Sequence, residues 1–300
     1  MKTAVVTGAT GFIGGRLIPA LARRGVSVTA ITRRPCGLWP GVARVAVLEE
    51  NSLSSLIADT DPDAIFHLAG VSQESLARED PALALDANGR AVWALMDAIY
   101  RSGRRPAIVL ASSVAVYGEN KGRPASENDR LRGSGAYALS KIAGECGARA
   151  FAALGLGARI ARIGNVFGPG DRSVARLIPD TLAAILENRA PLLRAPAAVR
   201  CHLHVEDCVT GLIALGEARG AALAGRAVNI CGEHGITNLD LVRLMLARAG
   251  REDLQPDVAL GAPAASIRLT SADLARQTLG WQPEISLEQG LSDLLERKAA

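Results

Sequence analysis

Thr7-Gly8-Ala9-Thr10-Gly11-Phe12-Ile13-Gly14 is the stretch on which the fold turns. It follows a short apolar run, Ala4-Val5-Val6, that reads as a strand. It opens a segment, 12–24, whose apolar residues recur at helical spacing. Glycines at 8, 11 and 14 permit a tight turn, close approach of the backbone to a pyrophosphate, and close packing of helix on sheet. A helix N-terminus adds free N–H groups and a dipole that favours an anion. A glycine-rich turn without a ligand is the plain alternative. The position of this one, between a first strand and an amphipathic helix, favours a dinucleotide.

Working outward, short β-rich runs at 26–31, 44–48, 64–68, 107–111 and 158–163 alternate with helical patterns near 53–58, 81–101 and 137–154. Such alternation predicts an α/β fold: a Rossmann-type, doubly wound parallel sheet with helices on both faces and right-handed crossovers. After Gly168-Pro169-Gly170 the regularity weakens. Helices are expected near 174–187, 205–217 and 239–249, and Ala227-Val228-Asn229-Ile230 again looks like a buried sheet strand. Residues 1–165 therefore read as a dinucleotide-binding domain, with strand returns near 200–232. Residues 166–300 read mainly as a smaller, discontinuous substrate-binding lobe. No internal repeat or low-complexity linker separates them.

Composition narrows the partners. Of 300 residues, 49% are apolar and 21% charged, the balance of a folded globular chain that needs no disulfide or structural metal. The net charge of +4 is small and spread along the chain, and aromatics make up only 3%, so no nucleic-acid partner is expected. Cys36, Cys146, Cys201, Cys208 and Cys231 form no Cys-x-x-Cys pair and read as free thiols in a reducing compartment, the cytoplasm. Gly8, Gly11, Gly14 and Gly15 interrupt the N-terminal apolar run, which argues against a signal peptide. No apolar stretch approaches the ~18 residues of a membrane span.

The second strand should end where the adenosine ribose lies. An acidic residue there suits NAD. This chain has Ile31-Thr32-Arg33-Arg34 instead. A guanidinium suits a 2′-phosphate through paired, charge-assisted hydrogen bonds, so NADP(H) is favoured over NAD(H), with Arg33 ahead of Arg34. The competing reading leaves both arginines as solvated surface.

Tyr137-Ala138-Leu139-Ser140-Lys141 places a phenol and an ammonium on one helical face. A free phenol has a pKa of roughly 10, and a nearby cation favours its ionised form. The pair opens the helix after the fifth predicted strand, which ends in Ala111-Ser112-Ser113. Ligands bind at strand carboxyl ends in this architecture. Ser113 can then hydrogen-bond the carbonyl or hydroxyl oxygen on which Tyr137 acts.

With these motifs assembled, the chain resembles the extended short-chain dehydrogenases, the NAD(P)-dependent nucleotide-sugar epimerase/dehydratase family. The resemblance rests on the glycine turn, Ile65-Phe66-His67-Leu68-Ala69-Gly70, Ser112-Ser113-Val114-Ala115-Val116-Tyr117-Gly118 and Tyr137-x-x-x-Lys141. It continues through Arg162-Ile163-Gly164-Asn165-Val166-Phe167-Gly168-Pro169, the stretch 200–207, and Leu279-Gly280-Trp281-Gln282-Pro283, and so covers nearly the whole chain. It implies catalytic roles for Ser113, Tyr137 and Lys141. It implies cofactor contacts at Gly8, Thr10, Gly11, Phe12, Ile13, Gly14, Leu68, Ala69, Gly70 and Ser112, as well as at Tyr137 and Lys141. Asn88 would support the active site, Asn165 and Arg200 would contact a nucleotide-linked substrate, and a homodimer is expected.

Departures from the family pattern narrow the reaction. The resemblance implies an Asp-Glu pair after the catalytic Thr or Ser in sugar dehydratases, and Val114-Ala115 stand there instead. Neither can carry a proton, which argues against water elimination. NADPH is the usual donor for a net reduction, so the chain is read as a ketoreductase. It is similar to the reductases of nucleotide-linked 4-keto-6-deoxysugars, including the group that reduces GDP-4-keto-6-deoxymannose. A nucleotide-sugar 4-epimerase is the alternative, and a non-catalytic NADP-binding module is a third reading. Ala262-Pro263 replaces an Arg-Pro pair implied by the resemblance: either Arg268 or Arg172 substitutes for the lost guanidinium, or the substrate carries no nucleotide.

Other features read more blandly. His202 and His204 alternate on an expected strand, and packing or a substrate hydrogen bond is preferred to a metal. His67 reads as the end of a strand near the cofactor. Glu49-Glu50 reads as a solvated strand end or an adenine contact. Trp93, Met96 and Ile99 read as one helix contact face, which with the Tyr137 helix would form the dimer seam.

Overall fold

The computed structural model describes residues 1–33, 37–47, 53–120, 123–261 and 265–299. Its strands in chain order are β1 (Thr3–Thr7), β2 (Ser27–Thr32), β3 (Arg44–Val47), β4 (Ala64–His67), β5 (Ala107–Ser113), β6 (Gly157–Ile163), β7 (Asn165–Phe167), β8 (Leu192–Leu193), β9 (Val199–His204), β10 (Ala227–Ile230), β11 (Gly235–Thr237), β12 (Asp257–Val258) and β13 (Ile267–Arg268). The helices are α1 (Gly14–Arg23), α2 (Leu53–Thr60), α3 (Glu74–Glu79), α4 (Pro81–Leu85), α5 (Ala91–Arg101), α6 (Ala136–Ala153), α7 (Leu177–Leu186), α8 (Val205–Glu217), α9 (Asn238–Arg248), α10 (Asp273–Leu279) and α11 (Leu287–Ala299).

Among the described residues, seven strands form a sheet in the order β10-β6-β5-β4-β1-β2-β3, and every pairing in it is parallel. The chain winds outward from β1 through β2 to β3, then returns to β4 and winds the other way. The strand order therefore reverses between β1 and β4, where this architecture opens a crevice at the carboxyl ends. Successive side chains in a strand face opposite ways. Thus Ala4 and Val6 of β1 pack with Leu17, Ile18 and Leu21 of α1 and with Leu212 and Ile213 of α8. Val5 faces the opposite layer, with Ile57 of α2 and Leu95, Met96 and Ile99 of α5. The late strand β10 joins this sheet beside β6, with all four of its residues buried, Asn229 included.

A second sheet, β11-β9-β13 with β7 on β9, is built from residues after 164. It packs near a separate core from α7, α9 and α11, which includes Ile178, Leu182, Leu241, Met245 and Leu291.

Two expectations change. Helix α1 starts at Gly14 rather than at residue 12, because residues 11–13 are spent on the turn. Trp93, Met96 and Ile99 do not share a face. Met96 and Ile99 are fully buried under the sheet, while Trp93 is 44% exposed and donates from Nε1 to Ala143 O at 3.1 Å. The spacing explains it: three residues turn a helix by about 300°, so each step drifts about 60° round the axis. Leu83, Leu85, Trp93, Tyr100 and Leu139 are instead the exposed large apolar side chains of α4, α5 and α6.

Candidate active site

The glycine turn and the end of β4 touch backbone to backbone. Gly8 has φ +67°, and a Cβ there would stand 2.6 Å from Ala69 N and 2.7 Å from the Leu68 carbonyl carbon. A Cβ on Gly14 would stand 2.3 Å from Gly8 O. Any side chain at either position would push the turn off the sheet. Thr7 Oγ1 accepts from Ala69 N at 3.2 Å and pairs with His67 Nδ1 at 2.8 Å. The other ring nitrogen of His67, Nε2, is buried and has no partner among the described residues. Burial, then the charge of Lys141, push the His67 pKa down to about 4, so this imidazole is neutral near pH 7.

The glycine cradle thus sits at the switch point, with α1 behind it. Thr10 and Gly11 are exposed there, and Phe12 and Ile13 are half-buried. Arg33 follows the carboxyl end of β2, two residues beyond Ile31, which lies opposite Thr7. It is exposed on the same edge as the turn. Arg34, Glu49-Glu50 and Ala262-Pro263 lie outside the described residues.

Helix α6 is fixed to the carboxyl end of β5 at three points one turn apart. Tyr137 is hydrogen-bonded to the Ser113 hydroxyl. Lys141 Nζ donates to Ala111 O at 3.1 Å. Glu145 Oε1 accepts from Ser112 Oγ at 2.6 Å. Ser113 Oγ also accepts from Ala115 N at 3.2 Å, which caps the short 3₁₀ turn Val114–Tyr117. Val114 and Ala115 are buried in that turn, so apolar groups follow Ser113 in space as well as in sequence.

The expected electrostatics of the pair are revised. The Lys141 ammonium was expected to draw the Tyr137 phenol down together with an oxidised cofactor; in the protein alone other groups dominate. Burial is the dominant influence on the phenol and pushes its pKa up. The Ser113 hydrogen bond pulls it back, Glu74 raises it, and Arg176 lowers it. Near neutral pH the phenol therefore keeps its proton. Burial pushes Lys141 down to about 8, and the Glu145 carboxylate opposes that shift.

Asn88 completes the pocket floor. Between α4 and α5 the helix carries one π turn, Asp86–Arg90, and its wider loop buries Asn88. Asn88 Nδ2 donates to Val71 O and to Ser140 Oγ, each at 3.0 Å. Its Oδ1 is buried without a partner among the described residues. A Cβ on Gly70 would stand 2.3 Å from that Oδ1 and 3.5 Å from Lys141 Nζ, so Gly70, Asn88 and Lys141 converge. Helix α6 comes this close because Gly144 leaves room for Asn88 O, which a Cβ would approach to 2.3 Å.

Beneath the site lies a buried network that sequence reading did not find. Glu145 is fully buried, and burial alone would raise its carboxyl pKa. Hydrogen bonds and charge from Arg162, with Ser112 and Arg149, outweigh that and hold it below its ordinary value. Arg162 grips it twice, Nε to Oε1 at 3.0 Å and Nη2 to Oε2 at 2.8 Å. Arg162 Nη1 donates to Tyr117 OH at 2.8 Å, and Tyr117 OH donates to Asn229 Oδ1 at 2.7 Å. The network ties α6 to β6, to the end of the 3₁₀ turn and to β10.

The expected substrate residues lie across the cleft. Asn165 on β7 is exposed and donates to Cys201 O at 3.2 Å. Arg200 on β9 donates to the carbonyls of Val199 and Ser266 and to Ser266 Oγ, each at 2.8 Å. His202 and His204 both lie edge-on to Phe167, with ring centroids 6.3 and 5.5 Å apart. His204 Nδ1 also accepts from Glu206 N at 3.3 Å at the start of α8.

The fold and the site together define a Rossmann-type enzyme with a Ser-Tyr-Lys constellation at the switch point. Residues 4–231 match the NAD dependent epimerase/dehydratase family, and the chain belongs to that family, whose members are enzymes of the extended short-chain dehydrogenase type. Among its relatives, the dTDP-4-dehydro-6-deoxy-D-allose reductase of Streptomyces bikiniensis is 29% identical, covering 97% of this chain and 94% of the relative. The UDP-glucose 4-epimerase of Mycolicibacterium smegmatis is 26% identical, covering 99% and 98%. Among solved structures, MoeE5 in complex with UDP-glucuronic acid and NAD superposes with a TM-score of 0.86 at 27% identity, covering 99% of this chain and all of that one. No helix among the described residues is long and apolar enough to cross a membrane.

Proposed function

We propose that this enzyme reduces the keto group of a nucleotide-linked 4-keto-6-deoxysugar, with NADPH as the electron donor. The observation that carries the proposal is the Ser113–Tyr137 pair backed by buried Val114 and Ala115: a protonated phenol stands at the site, and no carboxylate follows the serine. The cradle of Gly8, Gly14 and Gly70, where any Cβ would intrude, fits a dinucleotide, and Gly11, Thr10, Phe12, Ile13, Leu68, Ala69 and Ser112 flank it. When bound, the cofactor supplies a hydride to the carbonyl carbon. Ser113 and Tyr137 hold the carbonyl oxygen between them, and Tyr137 gives it the proton. Lys141, anchored at Ala111 O, would hold the cofactor beside Gly70 and keep a positive charge behind the phenol. Asn165 and Arg200 would meet the nucleotide-linked part of the substrate.

The choice of NADPH rests on Arg33, an exposed guanidinium at the edge shared with the glycine turn. An Arg33→Asp variant is expected to lose about ten- to a hundredfold in NADPH affinity and far less in NADH affinity. Titration of both cofactors checks this, and an unchanged preference would remove Arg33 from the cofactor site.

The substrate class is tested by offering the purified enzyme GDP-, dTDP-, CDP- and UDP-linked 4-keto-6-deoxysugars and following NADPH absorbance and products. Stoichiometric NADPH consumption with at least one of them is expected, and no turnover across the panel defeats the reading. A second reading, nucleotide-sugar 4-epimerisation, is favoured by the near full-length similarity to a UDP-glucose 4-epimerase. It requires turnover with a tightly held, unconsumed cofactor.

A further inference from the structure

Four titratable side chains stand one turn apart along a single face of α6: Tyr137, Lys141, Glu145 and Arg149. The stripe runs from the catalytic pocket outward. Lys141 and Glu145 are buried, and the Arg149 side chain is 38% exposed.

Its members are coupled. Glu145 Oε2 accepts from Arg149 Nη2 at 2.8 Å, on the same oxygen that Arg162 Nη2 holds. Glu145 Oε1 accepts from Ser112 Oγ, and Ser112 lies between Ala111, the acceptor for Lys141, and Ser113, the partner of Tyr137. The carboxylate therefore grips the strand end at the residue between the two other anchors. Its charge also reaches the ammonium. Burial drives Lys141 toward the neutral amine, and Glu145 opposes this. Both groups are buried, so solvent and salt screen the attraction weakly.

Among the described residues, the other elements packed around Lys141 bring it no competing anion. His67 of β4 is neutral near pH 7, and Asn88, between α4 and α5, brings an amide. Glu74 of α3 bears on Tyr137 and is paired with Arg268 at 2.6 Å. Arg162 of β6 bears on Glu145. Arg149 draws on the same carboxylate from the surface end of the stripe, and an anion shared with a further cation attracts the ammonium less.

We infer that Glu145 is a positioning residue for the reaction: it fixes Lys141 as an ammonium behind Tyr137, and Arg149 moderates that hold from the surface. The inference rests on the reductive reading for the part Lys141 plays, and adds to it two residues that act through Lys141.

The test reads the charge of Lys141 itself. The chain has four lysines, Lys2, Lys121, Lys141 and Lys298, so ¹³Cε-lysine labelling gives few signals, and Lys141→Arg identifies the one required. The full chain is titrated by NMR from about pH 6 to about pH 11. Glu145→Gln alone strands the buried Arg162 guanidinium, so the carboxylate is removed in Glu145→Gln/Arg162→Met. Of that pair, Glu145 is the member that bears on Lys141. The Lys141 midpoint is expected about one pH unit lower in this double variant, and about half a unit higher in Arg149→Met. The alkaline fall of turnover, where Lys141 loses its proton, should move the same way in each. A purely structural brace would change stability and leave the midpoint in place. An unmoved Lys141 midpoint in either variant, or a lower one in Arg149→Met, overturns the inference. Arg149→Met leaves the core intact and decides the matter by itself if the double variant does not fold. Moved midpoints with an unmoved turnover profile overturn the role in the reaction. A wild type that reduces no keto sugar defeats the reductive reading alone, since the lysine midpoints still decide what Glu145 does to Lys141.

Discussion

Replacing Tyr137 with phenylalanine is expected to lower turnover about 10²- to 10⁴-fold, with cofactor affinity within about twofold of wild type. The change removes one hydroxyl and leaves the ring, so packing on α6 and the glycine cradle are untouched. What is lost is the proton. Burial keeps the phenol pKa above its ordinary value, and the Ser113 hydrogen bond draws it part of the way back. In the proposed reduction this phenol is the group that donates its proton to the developing alkoxide. Steady-state kinetics and cofactor titration on the same preparation check the prediction. Full activity in Tyr137→Phe would exclude this phenol as the proton donor.

The second large effect concerns the network beneath the site. Arg162→Met is expected to destabilise the fold by about 3–5 kcal/mol, because it strands a fully buried carboxylate without its bidentate partner. The exposures decide the size of this effect: the Arg162 side chain is 2% exposed and that of Glu145 0%, so water cannot take over either charge. Removing both charges together, in Glu145→Leu/Arg162→Met, should recover much of the loss, since no orphaned charge remains. Urea unfolding of the three proteins measures the difference. An Arg162→Met midpoint equal to wild type would show that the ion pair is not holding α6 to β6.

The parts of the fold and site that can be read from sequence rest on short-range signals. Glycines at 8, 11 and 14, apolar runs alternating with helical spacing, and a Tyr and Lys one turn apart are each visible within a window of a few residues. They suffice to bring Ser113, Tyr137 and Lys141 to one strand end. The buried network is different in kind. Tyr117, Glu145, Arg162 and Asn229 meet across separations that no periodicity encodes. One signal was present: Glu145 lies one further turn along the face of Tyr137 and Lys141, so a carboxylate sits on the side of α6 that must be buried. The Glu74–Arg268 pair spans 194 residues and depends on β13 pairing with β9, a strand too short to read from two residues. The contact face assigned to Trp93, Met96 and Ile99 failed for a local reason, the angular drift of a three-residue repeat.

Net reduction by this constellation is open to an isotope-transfer measurement. The enzyme is supplied with NADPH carrying deuterium at its transferable position and with the accepted nucleotide-linked keto sugar, and the product is weighed by mass spectrometry. One deuterium on the sugar for each NADPH oxidised is expected, with no keto group left in the product. An isomerised sugar without deuterium, formed while the NADPH stays unconsumed, would contradict it and assign the site to epimerisation.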